Sequence, residues 1–183
     1  MKTREKYEVL VVDLDDSLIA GDVSRDQILW YLKRHPLRII PTLLALVTSR
    51  AALKDRIAQE HPVIPDQLHY RQSVIDLIKR DRALGIKTAL VSATNDRLIQ
   101  AISTFVGLFD VAIGSSAHEL VKGSGKLDRI RREFDHRPFA YVGDTDIDLL
   151  VWRGATKAYV VNPDESLEKR VLALGVTYEI LHD

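Results

Sequence analysis

The sequence predicts an α/β protein: a three-layer, Rossmann-like core on a parallel sheet, with a small all-helical insertion. Three observations support this fold class. Short apolar runs alternate with helical patterns, as in parallel sheets with crossover helices. The first run, residues 9–12, is apolar throughout, which is typical of a strand buried on both faces. About 70 residues separate it from the next run, far more than the dozen or so that a crossover needs.

The strands and the helices between them follow from local patterns. A helix over 73–84 places Val74, Leu77 and Ile78 on one face, and a helix over 96–106 ends at Gly107. We predict five strands, at residues 8–13, 86–92, 111–113, 139–143 and 158–161.

The long first crossover indicates a helical cap over the carboxyl edge of the sheet. We assign residues 20–80 to this cap and residues 1–19 and 81–183 to the core, with cap helices over 26–34 and 37–58. The cap carries 10 Lys and Arg against 6 Asp and Glu, which suits an anionic substrate, although four surplus surface charges can equally be incidental. Its apolar stripe forms either the core of the cap or a docking face for a membrane or partner: Ile40, Leu43, Leu44 and Val47.

Composition excludes several classes of protein. Lys plus Arg (26) equals Asp plus Glu (26) in the 183 residues, so no net charge attracts nucleic acid. The absence of cysteine excludes disulfides and thiolate chemistry and suits a cytoplasmic location. The charged N-terminus does not resemble a signal peptide, and the apolar segment 39–49 is too short to span a bilayer.

Acidic residues follow two of the predicted strands. Asp13, Asp15 and Asp16 end the first strand, and Asp144 and Asp148 follow the fourth. Carboxylates this close repel one another unless a cation or hydrogen-bond donors compensate. A helix N-cap with exposed turn acids would be the plain explanation. A metal and phosphate site at the carboxyl ends of the strands is the alternative, because open α/β sheets bind ligands there.

Four motifs in order resemble those of the haloacid dehalogenase-like (HAD) phosphatase superfamily: "DLDDS", "TALVS", "KG" and "GDTDID". Each follows a predicted strand, and the resemblance covers residues 8 to about 163. The segment "YVGDTDIDLLVW" is similar to phosphoserine-phosphatase-like members and to the HAD domains joined to UbiA-type prenyltransferases. The resemblance therefore implies an enzyme that hydrolyses a small phosphate ester and, less directly, a membrane-protein partner, although the chain itself is not expected to span a membrane.

The resemblance also implies roles for particular residues. Asp13 would attack phosphorus, and Asp15 would protonate the leaving oxygen and then activate water. Mg²⁺ would be held by Asp13, the backbone carbonyl of Asp15 and Asp144, with Asp148 ordering the metal site or the lysine. Ser92 would donate to a phosphoryl oxygen and Lys122 would offset the negative charge, which completes the implied catalytic set.

Several assignments stay open on the sequence alone. Lys126 competes with Lys122, which the "KG" context favours, and Thr94 competes with Ser92 because strand ends are uncertain by about two to four residues. Asp16 and Asp146 fit turn or cap positions better than ligand positions. Asp22 lies where phosphoserine phosphatases carry a substrate-facing glutamate, and Arg25 and Arg71 are candidate anion contacts by charge alone.

The leading hypothesis is a magnesium-dependent phosphatase that forms an aspartyl-phosphate. Asp15 argues against a dehalogenase, because that reaction has no leaving oxygen to protonate. The alternatives are a regulatory or partner-binding module that has lost turnover, associated with a prenyltransferase, and a receiver domain, which also carries a phospho-accepting aspartate.

Overall fold

A computed structural model describes residues 6–36, 57, 63–116 and 119–183. Strands and helices are numbered here over these described residues. In chain order they are β1 Val9–Val12, α1 Val23–Arg34, α2 Gln72–Ala83, β2 Lys87–Asn95, α3 Asp96–Val106, β3 Val111–Ser115, α4 Ser124–Glu133, β4 Phe139–Gly143, α5 Leu149–Trp152, β5 Lys157–Val161, α6 Glu165–Leu172 and β6 Thr177–Leu181. Short turns cover Leu14–Leu18, Pro65–Gln67 and Asp146–Asp148.

The six strands form one parallel sheet in the order β3-β2-β1-β4-β5-β6. The chain starts in the middle, at β1, and builds first to one side and then to the other. The carboxyl ends of β1, β2 and β4 therefore meet where the strand order reverses, and such switch points are where open α/β sheets bind ligands.

The core lies on both faces of the sheet. Leu10 and Val12 face one layer, which includes residues of α2 and α3, and Val9 and Val11 face the other, which includes residues of α4, α5 and α6. All four side chains of β1 are completely buried. Burial on both faces explains why this strand is apolar at every position rather than at alternate positions.

The predicted fold class is confirmed, and three details differ from the sequence prediction. Strand β6 was not predicted, β2 continues to Asn95 rather than ending at residue 92, and α1 begins at Val23 rather than at residue 26. Strand β6 lies at the edge of the sheet and alternates between exposed and covered side chains, so it lacks the apolar run that marked the inner strands.

The described part of the insertion begins with α1 and rejoins the sheet through α2. Val74, Leu77 and Ile78 of α2 pack in the same cluster as Leu10 and Val12, so this face of α2 lies against the sheet. Apart from Ile57, the predicted helix over 37–58 lies outside the described residues, as does the stripe at Ile40, Leu43, Leu44 and Val47. The cap boundaries stay a prediction. Within the described ranges, no helix has the length and apolarity needed to cross a membrane.

Candidate active site

Asp13 stands at the carboxyl end of β1, at the switch point of the sheet. Its backbone N–H donates to the carbonyl of Val142 in β4 (3.0 Å), which continues the ladder one residue past the strand. One oxygen of its carboxylate accepts from the amide of Leu14 (2.8 Å), and the other lies 2.9 Å from Nζ of Lys126. The strand end therefore presents Asp13 in a defined orientation.

Lys126 lies in the first turn of α4 and is only 2% exposed. A lysine near a helix N-terminus is electrostatically unfavourable, because that end of the helix dipole is positive. Here Nζ contacts Asp13, donates to the hydroxyl of Tyr141 (2.8 Å) and lies 3.9 Å from Asp148. Burial by itself would lower the pKa of Lys126, but the charges of Asp13 and Asp148 raise it by more. The pKa is therefore raised overall, and the lysine stays protonated.

Asp148 is held by four hydrogen bonds. The Tyr141 hydroxyl donates to Oδ1 (2.7 Å), while the amide of Asp144 and both the amide and the hydroxyl of Thr145 donate to Oδ2 (3.1 Å each). Gly143 makes room for this arrangement, since a Cβ there would lie 2.7 Å from Cγ of Asp148. Asp148 therefore shapes the loop after β4 and helps to hold Lys126.

The carboxylates of Asp13, Asp144 and Asp148 converge, with one oxygen from each within 4.8 Å of the others. Burial raises the pKa of Asp144 to about 8, and the charges of Asp148 and Asp13 raise it too, against a hydrogen bond from Ser17 (2.9 Å). Hard oxygen donors with unrelieved negative charge are what Mg²⁺ prefers. This donor set therefore fits a divalent cation.

Asp15 lies beside this cluster and connects two other elements. Its carboxylate accepts from the hydroxyl of Thr94 in β2 (2.6 Å) and from the amide of Val23, the first residue of α1 (2.8 Å). Burial raises the pKa of Asp15 to about 6, and the Asp13 charge adds to this, while the bond from Thr94 lowers it. A carboxyl group with a pKa of about 6 can both give and take a proton near neutral pH.

Ser92 and Thr94 are both buried near the carboxyl end of β2, and both line the cavity. The Ser92 hydroxyl accepts from the amide of Thr94 (3.1 Å). Thr94 therefore donates to Asp15 through its hydroxyl, whereas Ser92 contacts the backbone amide of Thr94. The two residues that the sequence left as alternatives thus have different neighbours.

A cavity of about 630 Å³ opens above these residues. The core contributes the acids and both lysines to its walls, and α1 contributes residues of its exposed side. Its outer walls include Arg25, Ile28, Leu29, Lys122 and Ile147. The cavity therefore joins the charged strand ends to outer walls that carry both charged and apolar side chains.

Solved structures of HAD hydrolases and of phosphoserine phosphatase have this architecture. The HAD family hydrolase t0658 of Salmonella enterica serovar Typhi superposes with a TM-score of 0.64 at 15% identity, covering 95% of this chain and 68% of that one. A phospho-aspartyl intermediate analogue of phosphoserine phosphatase superposes with a TM-score of 0.60 at 15% identity, covering 96% and 93%. The chain has the HAD superfamily fold.

Sequence comparison adds one relative and no family assignment. The uncharacterized protein y4nM of Sinorhizobium fredii (strain NBRC 101917 / NGR234) is 32% identical over 172 residues, which is 94% of this chain. This chain spans only 33% of the length of that relative. No family model matches the chain.

Within the HAD fold, most of the residues predicted from sequence come together. Asp13, Asp15, Ser92, Asp144 and Asp148 all lie around the switch point. Lys122 also lines the cavity but is exposed at its mouth, whereas Lys126 contacts Asp13.

The other candidates occupy supporting positions. Asp16 adopts a left-handed conformation (φ 52°) and accepts from the amide of Gly21, as expected of a turn residue. Asp22 caps α1. Arg71 does not line the cavity; its side chain donates to the carbonyl of Asp16 (3.1 Å) and thereby ties α2 to the loop after β1.

Two further site residues had no assigned role in the sequence analysis. Tyr141 bridges Lys126 and Asp148, and Ser17 donates to Asp144. A polar hydroxyl in the otherwise apolar run "FAYVG" was the available signal for Tyr141, and the fifth residue of "DLDDS" was the signal for Ser17.

Proposed function

We propose that this protein is a magnesium-dependent phosphatase that hydrolyses a small phosphate monoester through an aspartyl-phosphate on Asp13. One observation carries the proposal: Asp13, oriented by Leu14 and faced by the buried Lys126, shares a cavity with Asp15, whose pKa is raised. An oriented carboxylate, a fixed cation and a second carboxyl group are the parts that phosphoryl transfer through a covalent intermediate requires.

In the first step Asp13 is the nucleophile. A carboxylate oxygen of Asp13 forms a bond to phosphorus while the bond from phosphorus to the ester oxygen breaks. The carboxyl group of Asp15 gives its proton to that departing oxygen, which leaves as an alcohol. Thr94 and Val23 hold Asp15 from two sides, so the acid is oriented before the substrate arrives.

In the second step the roles of Asp15 reverse. Its carboxylate takes a proton from water as the water oxygen bonds to phosphorus, and the bond from phosphorus to Asp13 breaks. Inorganic phosphate leaves, and both carboxyl groups return to their starting states. A pKa of about 6 suits a group that must donate in one step and accept in the next.

Asp13, Asp144 and the backbone carbonyl of Asp15 would hold Mg²⁺, with Asp148 fixing the loop that carries Asp144. When bound, the ion neutralises charge on the phosphoryl oxygens and among the acids. The chain itself supplies Lys126 beside Asp13 and Ser92 in the cavity wall for the same phosphoryl group.

We assign the lysine role to Lys126 rather than to Lys122. Nζ of Lys126 already lies 2.9 Å from the proposed nucleophile, whereas Lys122 stands exposed at the mouth. A buried cation acts in a low dielectric, where its attraction for a phosphoryl group is stronger than at the surface.

The test is hydrolysis of p-nitrophenyl phosphate with magnesium and with excess chelator. We expect Asp13→Asn to lose at least 1,000-fold in kcat, within the range of effects for removing a nucleophile, while Asp128→Asn, an exposed acid on α4, keeps wild-type activity. Acid-quenched wild-type protein should carry a phosphoryl group that the Asp13→Asn protein lacks. Retention of a tenth of kcat in Asp13→Asn, or full activity in chelator, would refute the proposal.

The same assay separates the alternatives. A regulatory module of this fold would bind phosphate esters without turnover. A receiver domain would accept one phosphoryl group per molecule and keep it. Release of many phosphates per protein molecule excludes both.

A further inference from the structure

One part of the cavity wall has no role in the proposed chemistry. Ile28 and Leu29 of α1 and Ile147 of the turn after β4 line it with apolar side chains. Leu29 is 48% exposed and Ile147 is 40% exposed, so packing against the described part of the chain leaves both side chains open. Apolar side chains left open to water on two elements around one cavity point to a ligand that covers them.

The position of Asp15 tells where the departing group of a substrate must lie. The ester oxygen that Asp15 protonates has to be within hydrogen-bond reach of its carboxyl group. That carboxyl group is 2.8 Å from the amide of Val23, the first residue of α1. The departing group therefore starts beside the first turn of α1.

Residues from two successive turns of α1 line the same cavity. Arg25 belongs to the first turn, and Ile28 and Leu29 belong to the next. At 1.5 Å per residue, Leu29 lies about 9 Å along the helix axis from Val23. Ile147 reaches the same cavity from the loop that carries Asp144.

We propose, on the basis of the proposed function, that the substrate is a phosphate monoester of an apolar alcohol whose chain extends about 9 Å from the ester oxygen. Leu29 and Ile147 cover this chain and are specificity-determining residues. Burial of the alkyl chain removes apolar surface of both the substrate and the protein from water. A polyol of the same length gains less where it lies against Leu29 and Ile147, because these two side chains offer its hydroxyl groups no hydrogen-bond partner.

The test is a chain-length series of ethyl, butyl and hexyl phosphates, with sorbitol 6-phosphate as a polar ester of the same length as hexyl. We expect kcat/KM to rise about twofold for each methylene, less than for full burial because the walls stay partly open. The kcat/KM for hexyl phosphate should exceed that for sorbitol 6-phosphate by at least tenfold. Leu29→Ser and Ile147→Ser should each reduce the increase in kcat/KM from ethyl to hexyl phosphate.

Leu172→Ser is the matched control, since this leucine is 61% exposed on α6 and does not line the cavity. It should leave the series unchanged. A flat series in the wild type, or a preference for sorbitol 6-phosphate, overturns the proposal. Flattening by Leu172→Ser to the same degree overturns the assignment to Leu29 and Ile147.

A binding measurement distinguishes failure of this proposal from failure of the proposed function. Alkylphosphonates carry a carbon–phosphorus bond that this mechanism cannot hydrolyse, so calorimetry reports affinity without turnover. We expect hexylphosphonate to bind at least tenfold more tightly than ethylphosphonate, and Leu29→Ser to remove the difference. Chain-length-dependent binding without hydrolysis of any ester would support the apolar site and refute the phosphatase. Equal affinities would refute the apolar site whether or not esters are hydrolysed.

Discussion

Replacement of Lys126 by methionine tests whether the buried lysine holds the site together. Methionine has a similar length and no charge, so the substitution leaves most of the volume filled. It removes the 2.9 Å ion pair with Asp13 and the 2.8 Å hydrogen bond to Tyr141. It also removes the positive charge 3.9 Å from Asp148, which is 1% exposed.

The expected loss in the free energy of unfolding follows from this burial. Removing one partner of a buried ion pair leaves an uncompensated charge and costs about 3–5 kcal/mol. Two carboxylates face Lys126, so we expect the loss in the free energy of unfolding to lie in this range. Lys122→Met is the matched control: its side chain is exposed, and a surface substitution changes stability by less than about 0.5 kcal/mol.

Urea denaturation in excess chelator, followed by circular dichroism, measures both variants. With a slope of about 2 kcal/mol per molar urea, Lys126→Met should lower the midpoint by about 1.5–2.5 M. Magnesium should reduce the difference between the urea midpoints of the two variants, because a cation among the acids replaces part of the lost positive charge. Hydrolysis by Lys126→Met should fall at least 100-fold, as when one fixed donor to a developing charge is removed. Equal midpoints for the two lysine variants in chelator would refute the reasoning.

Two predictions concern residues away from the cavity. Tyr7→Phe should lower the free energy of unfolding by about 1–3 kcal/mol, because the Tyr7 hydroxyl donates to the buried Asp81 (2.5 Å). The control is Tyr178→Phe, which loses only a 3.5 Å contact with Glu168. In the same urea titration it should lower the free energy of unfolding by less than about 0.5 kcal/mol. Burial raises the pKa of Asp110, but a backbone amide and Arg82 outweigh it and hold the pKa below its usual value. Asp110→Asn should therefore destabilise at pH 7, and the difference from wild type should shrink below about pH 3.9, as the wild-type carboxylate is protonated. A difference in urea midpoint that is the same at pH 7 and pH 3 would contradict this.

The sheet could be predicted where burial leaves a pattern in the sequence. Strand β1 is covered on both faces, so every residue is apolar and the strand is evident. Strand β6 has a neighbour on one side only, and its Glu179 pairs with Lys157 of β5 at the surface. Because the partner that makes it a strand is distant in sequence, local composition does not reveal it.

The acids of the site could be predicted because each follows a strand of the same parallel sheet. The choice of lysine could not, since it depends on a single backbone turn. Gly123 has a positive φ of 55°, which L residues with side chains rarely adopt, and α4 begins immediately after it. Lys122 precedes this turn and stays at the mouth, whereas Lys126 follows it and enters the core. Spacing along the chain does not distinguish the two.

The register between β1 and β4 places Tyr141 below the candidate active site. Its β1 partner in the ladder is Val11, two residues before Asp13, so its side chain lies beneath the strand ends and not in the cavity. From there its hydroxyl accepts from Lys126 and donates to Asp148, which holds the lysine under Asp13 without competing for substrate. Tyr141→Phe should therefore lower kcat and leave KM for ethyl phosphate unchanged, because the lost contact orients Lys126 and touches no part of the bound ester. A raised KM with an unchanged kcat would show that Tyr141 acts on binding instead.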